Sequence, residues 1–251
     1  KMEIIIVNDR SKDDTGFILS KYEKEYTYLH VITINQIKKG LSQKKYALTK
    51  GIYAAKGEII ATTDADCKAP EQWLKIIVSY FTPETGMVIG MAPLKATAWL
   101  LSPLTCIDAL FVDNIAFGSL WYNHTVTCTG RNFAYRKSLF NEINGFSKIE
   151  HILSGDDDLF MMKVKDETNW IIRYIPDSQA IIFSNAPSGW CHFITQKKRH
   201  ISASRYFPLP VKMGSPSSFP GPIKQPISNS KSISRQGPNT GLSSPIGNVC
   251  P

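Results

Sequence analysis

The sequence predicts an α/β fold in which a mostly parallel sheet is flanked by helices. Short β-branched runs alternate along the chain with amphipathic segments, as expected for βαβ units. Two of the runs, at 4–7 and 59–61, lack a polar face, which is typical of strands that helices cover on both sides. Acidic residues follow the strand-like runs, at the end of a parallel sheet where ligands bind.

Each element is predicted from its own periodicity. β-branched and other apolar runs bounded by polar residues indicate strands, and the predicted strands cover residues 3–7, 30–34, 58–63 and 87–91, with a later pair at 171–175 and 179–183. Apolar residues at helical spacing indicate helices, and the predicted helices cover residues 13–28, 43–55, 71–81, 100–116 and 189–206.

Composition excludes several protein classes. The chain has 251 residues, of which 43% are apolar and 20% charged, so it can bury one ordinary core and is neither wholly disordered nor collagenous. Its five cysteines include no CxxC pair, which argues against a zinc ribbon and a secreted disulfide framework. The uncharged stretch 114–130 is too polar to span a bilayer. No basic run followed by an apolar core opens the chain, so a cytoplasmic location is expected.

A change of composition near residue 207 predicts two parts. Residues 1–207 are expected to form the globular domain, and residues 208–251 a disordered tail. The tail holds nine of the fifteen prolines and too little apolar periodicity for a core. It contains four bases and no acid, which is half of the formal charge of +8. Four scattered bases are too few to indicate a nucleic-acid-binding surface, so nucleic-acid binding is not expected.

Two acidic patterns carry candidate chemistry. Asp64 and Asp66 follow a predicted strand and could share a hard divalent cation, magnesium or manganese, that also holds a diphosphate. The alternative is a solvated turn. The triplet 156–158 could supply a general base, or it could stabilise the first turn of a helix through the helix dipole. Taken alone, the turn and the helix terminus are the more common cases.

The order of six motifs adds a resemblance. The motifs lie at 6–15 (IVNDRSKDDT), 44–52 (KKYALTKGI), 64–66 (DAD), 129–137 (TGRNFAYRK), 155–159 (GDDDL) and 196–200 (QKKRH). In this order they resemble the inverting family 2 glycosyltransferases, which have the GT-A fold and use nucleotide-diphospho-sugars. The resemblance runs from about residue 3 to residue 206. It departs from the family at Gly155, where glutamate is usual, and at His200, where tryptophan is usual. The family's first strand is expected to precede Lys1, so the domain is expected to be incomplete at its N-terminus.

The resemblance implies a role for each matching position. Asp156 is the expected catalytic base, with Asp157 in reserve. The other implied roles are donor binding at Asp9, Lys44 and Asp64, metal binding at Asp64 and Asp66, and acceptor binding at Gly130, Asn132, Gln196 and Arg199. The implied cofactor is a divalent metal, magnesium or manganese.

The implied reaction moves a hexosyl group from a nucleotide-diphospho-sugar to a hydroxyl, with inversion in a single displacement. The acceptor is expected to be a carbohydrate or a lipid-linked molecule, which is compatible with peripheral association at the inner face of a membrane. Two alternatives stay open. One is a truncated, non-catalytic GT-A remnant that acts as a binding module. The other is a nucleotidyltransferase, which would explain a metal at a strand end but not the segment 196–200.

Overall fold

The computed structural model describes residues 2–37, 40–98, 100, 102–204 and 206–207, and for residues 199–204 it describes the backbone only. The strands are β1 Ile4–Asp9, β2 Leu29–Ile34, β3 Ile59–Thr62, β4 Thr85–Gly90, β5 Leu94–Lys95, β6 Phe133–Arg136, β7 Ile171–Ile175 and β8 Ser184–Asn185. The helices are α1 Thr15–Glu25, α2 Gln43–Ala54, α3 Trp73–Ser79, α4 Ser102–Trp121, α5 Lys137–Glu142, α6 Asp158–Glu167 and α7 Trp190–Ser204, with a short 3₁₀ helix at Ser178–Ala180. The predicted tail, 208–251, lies outside the described residues.

The predicted alternation of strands and helices is confirmed from β1 to β4, and the strand at 171–175 has the predicted bounds. The predicted strand at 179–183 is wrong. The chain there forms the end of the 3₁₀ helix and an irregular segment. Its alternating apolar residues reflect core packing instead, since Ala180 and Ile182 are buried. The sequence patterns also missed β6, a run of only four residues.

The strands form one four-stranded sheet and two smaller pairs. The larger sheet has the order β3-β6-β4-β7, and the pairs are β1-β2 and β5-β8. Three of the five described strand pairs are parallel, while β6 runs antiparallel to both β3 and β4. Thr62 at the end of β3 pairs with Phe133 at the start of β6. The loop that precedes β6 therefore lies beside the turn that carries Asp64 and Asp66.

The core lies on both faces of the larger sheet. Every residue of β4 is buried, so this strand has no solvent face. Met87 and Ile89 pack on one side with a cluster of aromatic rings that includes Tyr135, Phe140 and Phe160, with ring centroids 5.1 to 6.0 Å apart. The opposite side packs against α3 and the segment after the 3₁₀ helix. This rigid centre fixes the loops at the strand ends.

Asn132 connects three parts of the fold just before β6. Its side chain is buried and donates from Nδ2 to the carbonyl oxygens of Met91, at 2.9 Å, and Ala180, at 2.7 Å. Its Oδ1 accepts a hydrogen bond from Trp73 Nε1 at 2.9 Å. Both amide protons and the amide oxygen are therefore used inside the protein, as buried polar groups require.

Replacing Asn132 by alanine should destabilise the domain by about 2 to 4 kcal/mol, because it leaves the Trp73 N–H and two carbonyl groups without their partner. Urea unfolding followed by tryptophan fluorescence measures this. Asn114→Ala is the matched control, since the exposed Asn114 makes one hydrogen bond within α4 and should change stability by less than about 1 kcal/mol. Equal effects of the two variants would contradict the anchoring role.

Candidate active site

A cleft of about 420 Å³ opens beside the end of β3. The cleft is lined by the start of α2, the turn after β3, Leu94 of β5, the loop 127–131, the segment 153–158, the facing helices α4 and α7, and Phe207. Seven charged residues of the predicted motifs lie in its wall: Lys44, Asp64, Arg131, Asp156, Asp157, Asp158 and Lys197. Residues from five of the six motifs are thus brought together around one cavity.

Two aspartates of the triplet hold the loop before β6. Asp157 is the N-cap of α6, where its Oδ1 accepts from the Asp158 N–H at 2.8 Å, and its Oδ2 accepts from the Gly130 N–H at 2.8 Å. Asp158 accepts from the Cys128 N–H at 2.7 Å and from the Thr127 hydroxyl at 3.1 Å. These hydrogen bonds join the loop 127–130 to the start of α6.

Asp156 has a different partner. Its Oδ2 lies 2.9 Å from the Lys44 Nζ, and the same Nζ lies 3.3 Å from Asp64 Oδ1. The Asp156 side chain is 10% exposed and the Lys44 side chain 45% exposed. Partial burial lowers the pKa of Lys44, but the carboxylates of Asp156, Asp64 and Asp157 outweigh it, so the net pKa is raised and the ammonium stays charged. Lys44 therefore bridges the predicted base and the predicted donor site.

The neighbouring Lys45 points the other way, into the protein. Its buried Nζ donates to the carbonyl oxygens of Ile152 and Ser154, both at 2.6 Å. The Ser42 N–H donates to the Glu150 carbonyl at 2.7 Å, in the same segment. Burial lowers the pKa of Lys45 to about 8, although Asp156 and Asp157 oppose the shift. The first turn of α2 thus fixes the chain that leads to Asp156.

Gly155 is required by this geometry. Its φ is +80°, a conformation that side chains rarely adopt, and a Cβ there would lie 2.5 Å from the Leu159 side chain. The local turn therefore excludes the glutamate that the family usually has at this position.

Burial raises the pKa of two carboxyl groups of the triplet, Asp157 and Asp158. Desolvation raises the pKa of Asp157, and the charge of Asp156 adds to the shift. Desolvation and the charge of Asp157 raise the pKa of Asp158 to about 8. The hydrogen bonds from the loop N–H groups oppose both shifts without cancelling them. Asp157 and Asp158 therefore take up a proton more readily than an exposed aspartate does.

The predicted acceptor residues are only partly brought together. Gly130 and Gln196 line the cleft. Asn132 does not, because its side chain is used in the core contacts described above. Arg199 lies in α7 at a position where only the backbone is described. We therefore leave Asn132 out of the proposed acceptor site.

One residue predicted to bind the donor, Asp9, and one predicted to bind the metal, Asp66, lie outside the cleft wall. Asp9 ends β1, and its carboxylate pairs with the Arg10 guanidinium at 2.7 Å. Asp66 is exposed in the turn after β3, next to Asp64. Both are at the carboxyl ends of strands, as the sequence patterns predict.

The two carboxylates of the β3 turn fit a divalent cation that binds together with a diphosphate. Among the described residues, no group of three or more His, Cys, Asp or Glu side chains is arranged to hold a metal, so a metal here would need ligands from the diphosphate as well. Asp64 and Asp66 would supply two hard oxygen ligands, and Asp66 is open to solvent. Magnesium and manganese are typically bound in this way, by one or two carboxylates with phosphate and water oxygens as the other ligands.

A profile of the family described as glycosyl transferase family 2 matches residues 1–144, more than half of the chain. The chain belongs to glycosyl transferase family 2. The matched range includes Asp9, Lys44, Asp64, Asp66 and Gly130 and ends before the acidic triplet.

Two curated proteins are similar in sequence to this chain. The probable glycosyltransferase YdaM of Bacillus subtilis is 27% identical over 217 residues, which cover 83% of this chain and 49% of that protein. The β-monoglucosyldiacylglycerol synthase of Synechocystis is 32% identical over 83 residues, which cover 33% of this chain and 17% of that protein. The chain therefore spans half or less of the length of these relatives.

Two solved structures have a similar fold. The mannosyltransferase PcManGT of Pyrobaculum calidifontis, in complex with GDP-Man and Mn²⁺, aligns with a TM-score of 0.59 and 20% identity over 82% of this chain and 56% of that chain. GalNAc-T7 with UDP, GalNAc and Mn²⁺ aligns with a TM-score of 0.54 and 17% identity over 75% of this chain and 38% of that chain. These likenesses confirm the predicted GT-A fold for this member of family 2.

The sequence patterns missed the contribution of α4 to the cleft of this family 2 domain. Asp113 lies on the buried side of α4, where its Oδ2 accepts from the Ala92 N–H at 3.3 Å. Burial raises the pKa of Asp113 to about 6, although the Ala92 N–H and the charge of Arg131 oppose the shift. The only signal in the sequence is an acid on the apolar face of a predicted helix.

Asp113→Asn should make stability less dependent on pH. Because the folded-state pKa of Asp113 is raised, its protonated form is favoured by folding, and stability falls as pH rises from about 4 through about 6. Asparagine keeps an acceptor for Ala92 and cannot ionise. The free energy of unfolding of the variant relative to the parent should rise by on the order of 2 to 3 kcal/mol between pH 4 and pH 7. Urea titrations at several pH values measure this, and a constant difference would contradict it.

Proposed function

We propose that this chain transfers a sugar from a nucleoside diphosphate donor to a hydroxyl acceptor, with inversion of the anomeric centre in a single displacement. The observation that carries the proposal is the line Asp156–Lys44–Asp64 in the cleft wall. It places a carboxylate that is not used by the backbone beside a cation and a donor-side carboxylate. Family membership supports the same reaction class.

Asp156 is the proposed general base. Asp157 and Asp158 each accept two hydrogen bonds from their surroundings, whereas Asp156 pairs with the Lys44 ammonium. Its carboxylate would accept the proton of the acceptor hydroxyl as that oxygen attacks the anomeric carbon. The diphosphate leaves from the opposite face of the sugar, so the configuration inverts.

The donor side is proposed to consist of Asp9 at the nucleobase and Lys44 and Asp64 near the diphosphate. A divalent ion held by Asp64 and Asp66 would neutralise negative charge that develops on the leaving diphosphate. The two similar structures contain a guanosine or uridine diphosphate group together with Mn²⁺, which supports this donor class. Lys44 contributes a fixed positive charge at the same end of the cleft.

The acceptor is proposed to enter between the loop at Gly130 and helix α7, where Gln196 lines the cleft and Arg199 lies one turn further on. We propose a carbohydrate or lipid-linked acceptor. The Synechocystis relative is named for the synthesis of a glycolipid, which supports the lipid-linked class. A site of action at the inner face of a membrane would fit such an acceptor.

Asp66→Ala should abolish manganese-dependent donor binding without changing the fold, because the side chain is exposed in a turn. Isothermal titration of a nucleotide sugar with and without Mn²⁺ measures this, and circular dichroism checks the fold. Asp166→Ala, at an exposed position of α6 outside the cleft wall, is the control and should bind as the parent does. Metal-dependent affinity that is unchanged in Asp66→Ala would contradict the ligand role.

Asp156→Asn should lower turnover by roughly 10² or more, since the amide is nearly isosteric and cannot accept the proton. Donor affinity should stay near that of the parent. The assay screens nucleotide sugars for release of the nucleoside diphosphate.

Asp157→Asn is the paired variant. This variant should lower the melting temperature. Two N–H groups donate to the Asp157 carboxylate, and after the substitution one of them would face the NH₂ donor of the amide. Turnover should remain within roughly tenfold of the parent. Full activity of the Asp156→Asn variant would contradict the proposed role of Asp156 as the general base. Donor binding by the parent without any turnover would favour the non-catalytic binding module instead.

A further inference from the structure

Helix α4 has an apolar face that is open to solvent. Leu104 is 61% exposed, Ile107 63% and Phe111 66%, and Phe117 and Trp121 are each 40% exposed. The first three are spaced i, i+3 and i+7, so they lie along one side of the helix. We call these five side chains the α4 apolar face. A helix of 20 residues is about 30 Å long, which makes this an extended surface.

The opposite side of α4 belongs to the domain. Thr105, Asp113, Ala116 and Leu120 are buried, and the last two join the main core cluster. By length and composition α4 is also the one candidate for a membrane span among the described residues, with a mean hydropathy of 1.3. Crossing a bilayer would remove Ala116 and Leu120 from the core and Asp113 from its partner. The helix is therefore suited to lie in the plane of a membrane interface, with its buried side on the protein and its exposed apolar side toward the lipid.

The surroundings of the α4 apolar face are basic. Its one charged neighbour on the exposed side of the helix, Asp108, forms an ion pair with Lys197 of α7. Helix α7 contains no acid in its sequence, and its Lys198 side chain is exposed next to Lys197. Lys95 is exposed on β5, the strand that packs beside α4. Positive charge around an apolar stripe is complementary to a bilayer that contains anionic lipids.

We propose that the α4 apolar face docks onto the surface of an anionic lipid bilayer, with the helix lying in the plane of the interface. The same helix lines the cleft with Thr105, Ala109 and Val112. Docking therefore brings the α4 and α7 side of the cleft to the membrane surface, where a lipid-linked substrate is presented. The docking surface does not depend on the proposed glycosyl transfer, because vesicle binding is measured without turnover.

The experiment measures co-flotation of the full chain with phosphatidylcholine vesicles, with and without roughly a third of phosphatidylglycerol. The parent should bind the anionic vesicles, bind the neutral ones less, and dissociate partly in about 0.5 M salt. The double variant Ile107→Glu and Phe111→Glu should bind on the order of tenfold less or worse, although it keeps every basic residue.

The matched control is Phe17→Glu with Ile18→Glu on α1, where the side chains are 75% and 48% exposed. It adds the same charge elsewhere and should retain most of the binding. Thermal melts of both double variants should match, since all four positions are exposed. Oligomeric state is followed by light scattering.

Several outcomes would overturn the proposal. They are absence of parent binding to anionic vesicles, equal loss of binding in both double variants, and a parent dimer that only the α4 variant dissociates. Resistance of the bound parent to extraction at alkaline pH would also overturn it, because that result indicates a span in place of interfacial docking.

Discussion

Three consecutive carboxylates lie at one side of the cleft, and the surrounding structure is arranged to compensate their charge. A buried carboxylate is costly unless it is hydrogen-bonded or paired. Asp157 and Asp158 meet this requirement with main-chain N–H groups of the loop 127–130 and of α6 itself. Asp156 meets it with the Lys44 ammonium. The hydrogen bonds and the ion pair that offset the cost of burying these carboxylates therefore also fix the loop 127–130, the start of α6 and α2 relative to each other.

Two adjacent lysines at the start of α2, Lys44 and Lys45, make contacts in opposite directions. Lys45 is buried and holds the carbonyl groups of 152–154, which sets the path of the chain just before the triplet. Lys44, one residue earlier, stays half-exposed and reaches both Asp156 and Asp64. One turn of α2 thus controls the position of the proposed base and links it electrostatically to the strand end at β3. Since successive helix residues point about 100° apart, a single turn can serve both purposes.

The sequence was sufficient to predict the fold class and the first four strands, because these depend on local apolar periodicity. It did not reveal β6, whose four residues pair with two strands that are distant along the chain. The wrong strand at 179–183 arose because a buried irregular segment can alternate like a strand. Within the triplet, the family resemblance favoured Asp156 as the base with Asp157 in reserve, but three identical residues gave no physical basis for that choice. Those roles depend on α6 beginning at Asp158, which makes Asp157 the cap and leaves Asp156 facing the cleft.

Helix α4 shows why composition alone was ambiguous for this chain. Its apolar content suffices for a bilayer span, yet its residues face three environments: the core at Ala116 and Leu120, the cleft at Thr105 and Val112, and solvent at Ile107 and Phe111. The ionisable residues follow the same division. Asp113 lies on the buried side with a main-chain partner, and Asp108 lies on the open side with Lys197. A hydropathy average merges these faces, whereas the position of each residue around the helix separates them. The exposed apolar side is thus a property of the folded domain, and it is continuous with the wall of the cleft through a single helix.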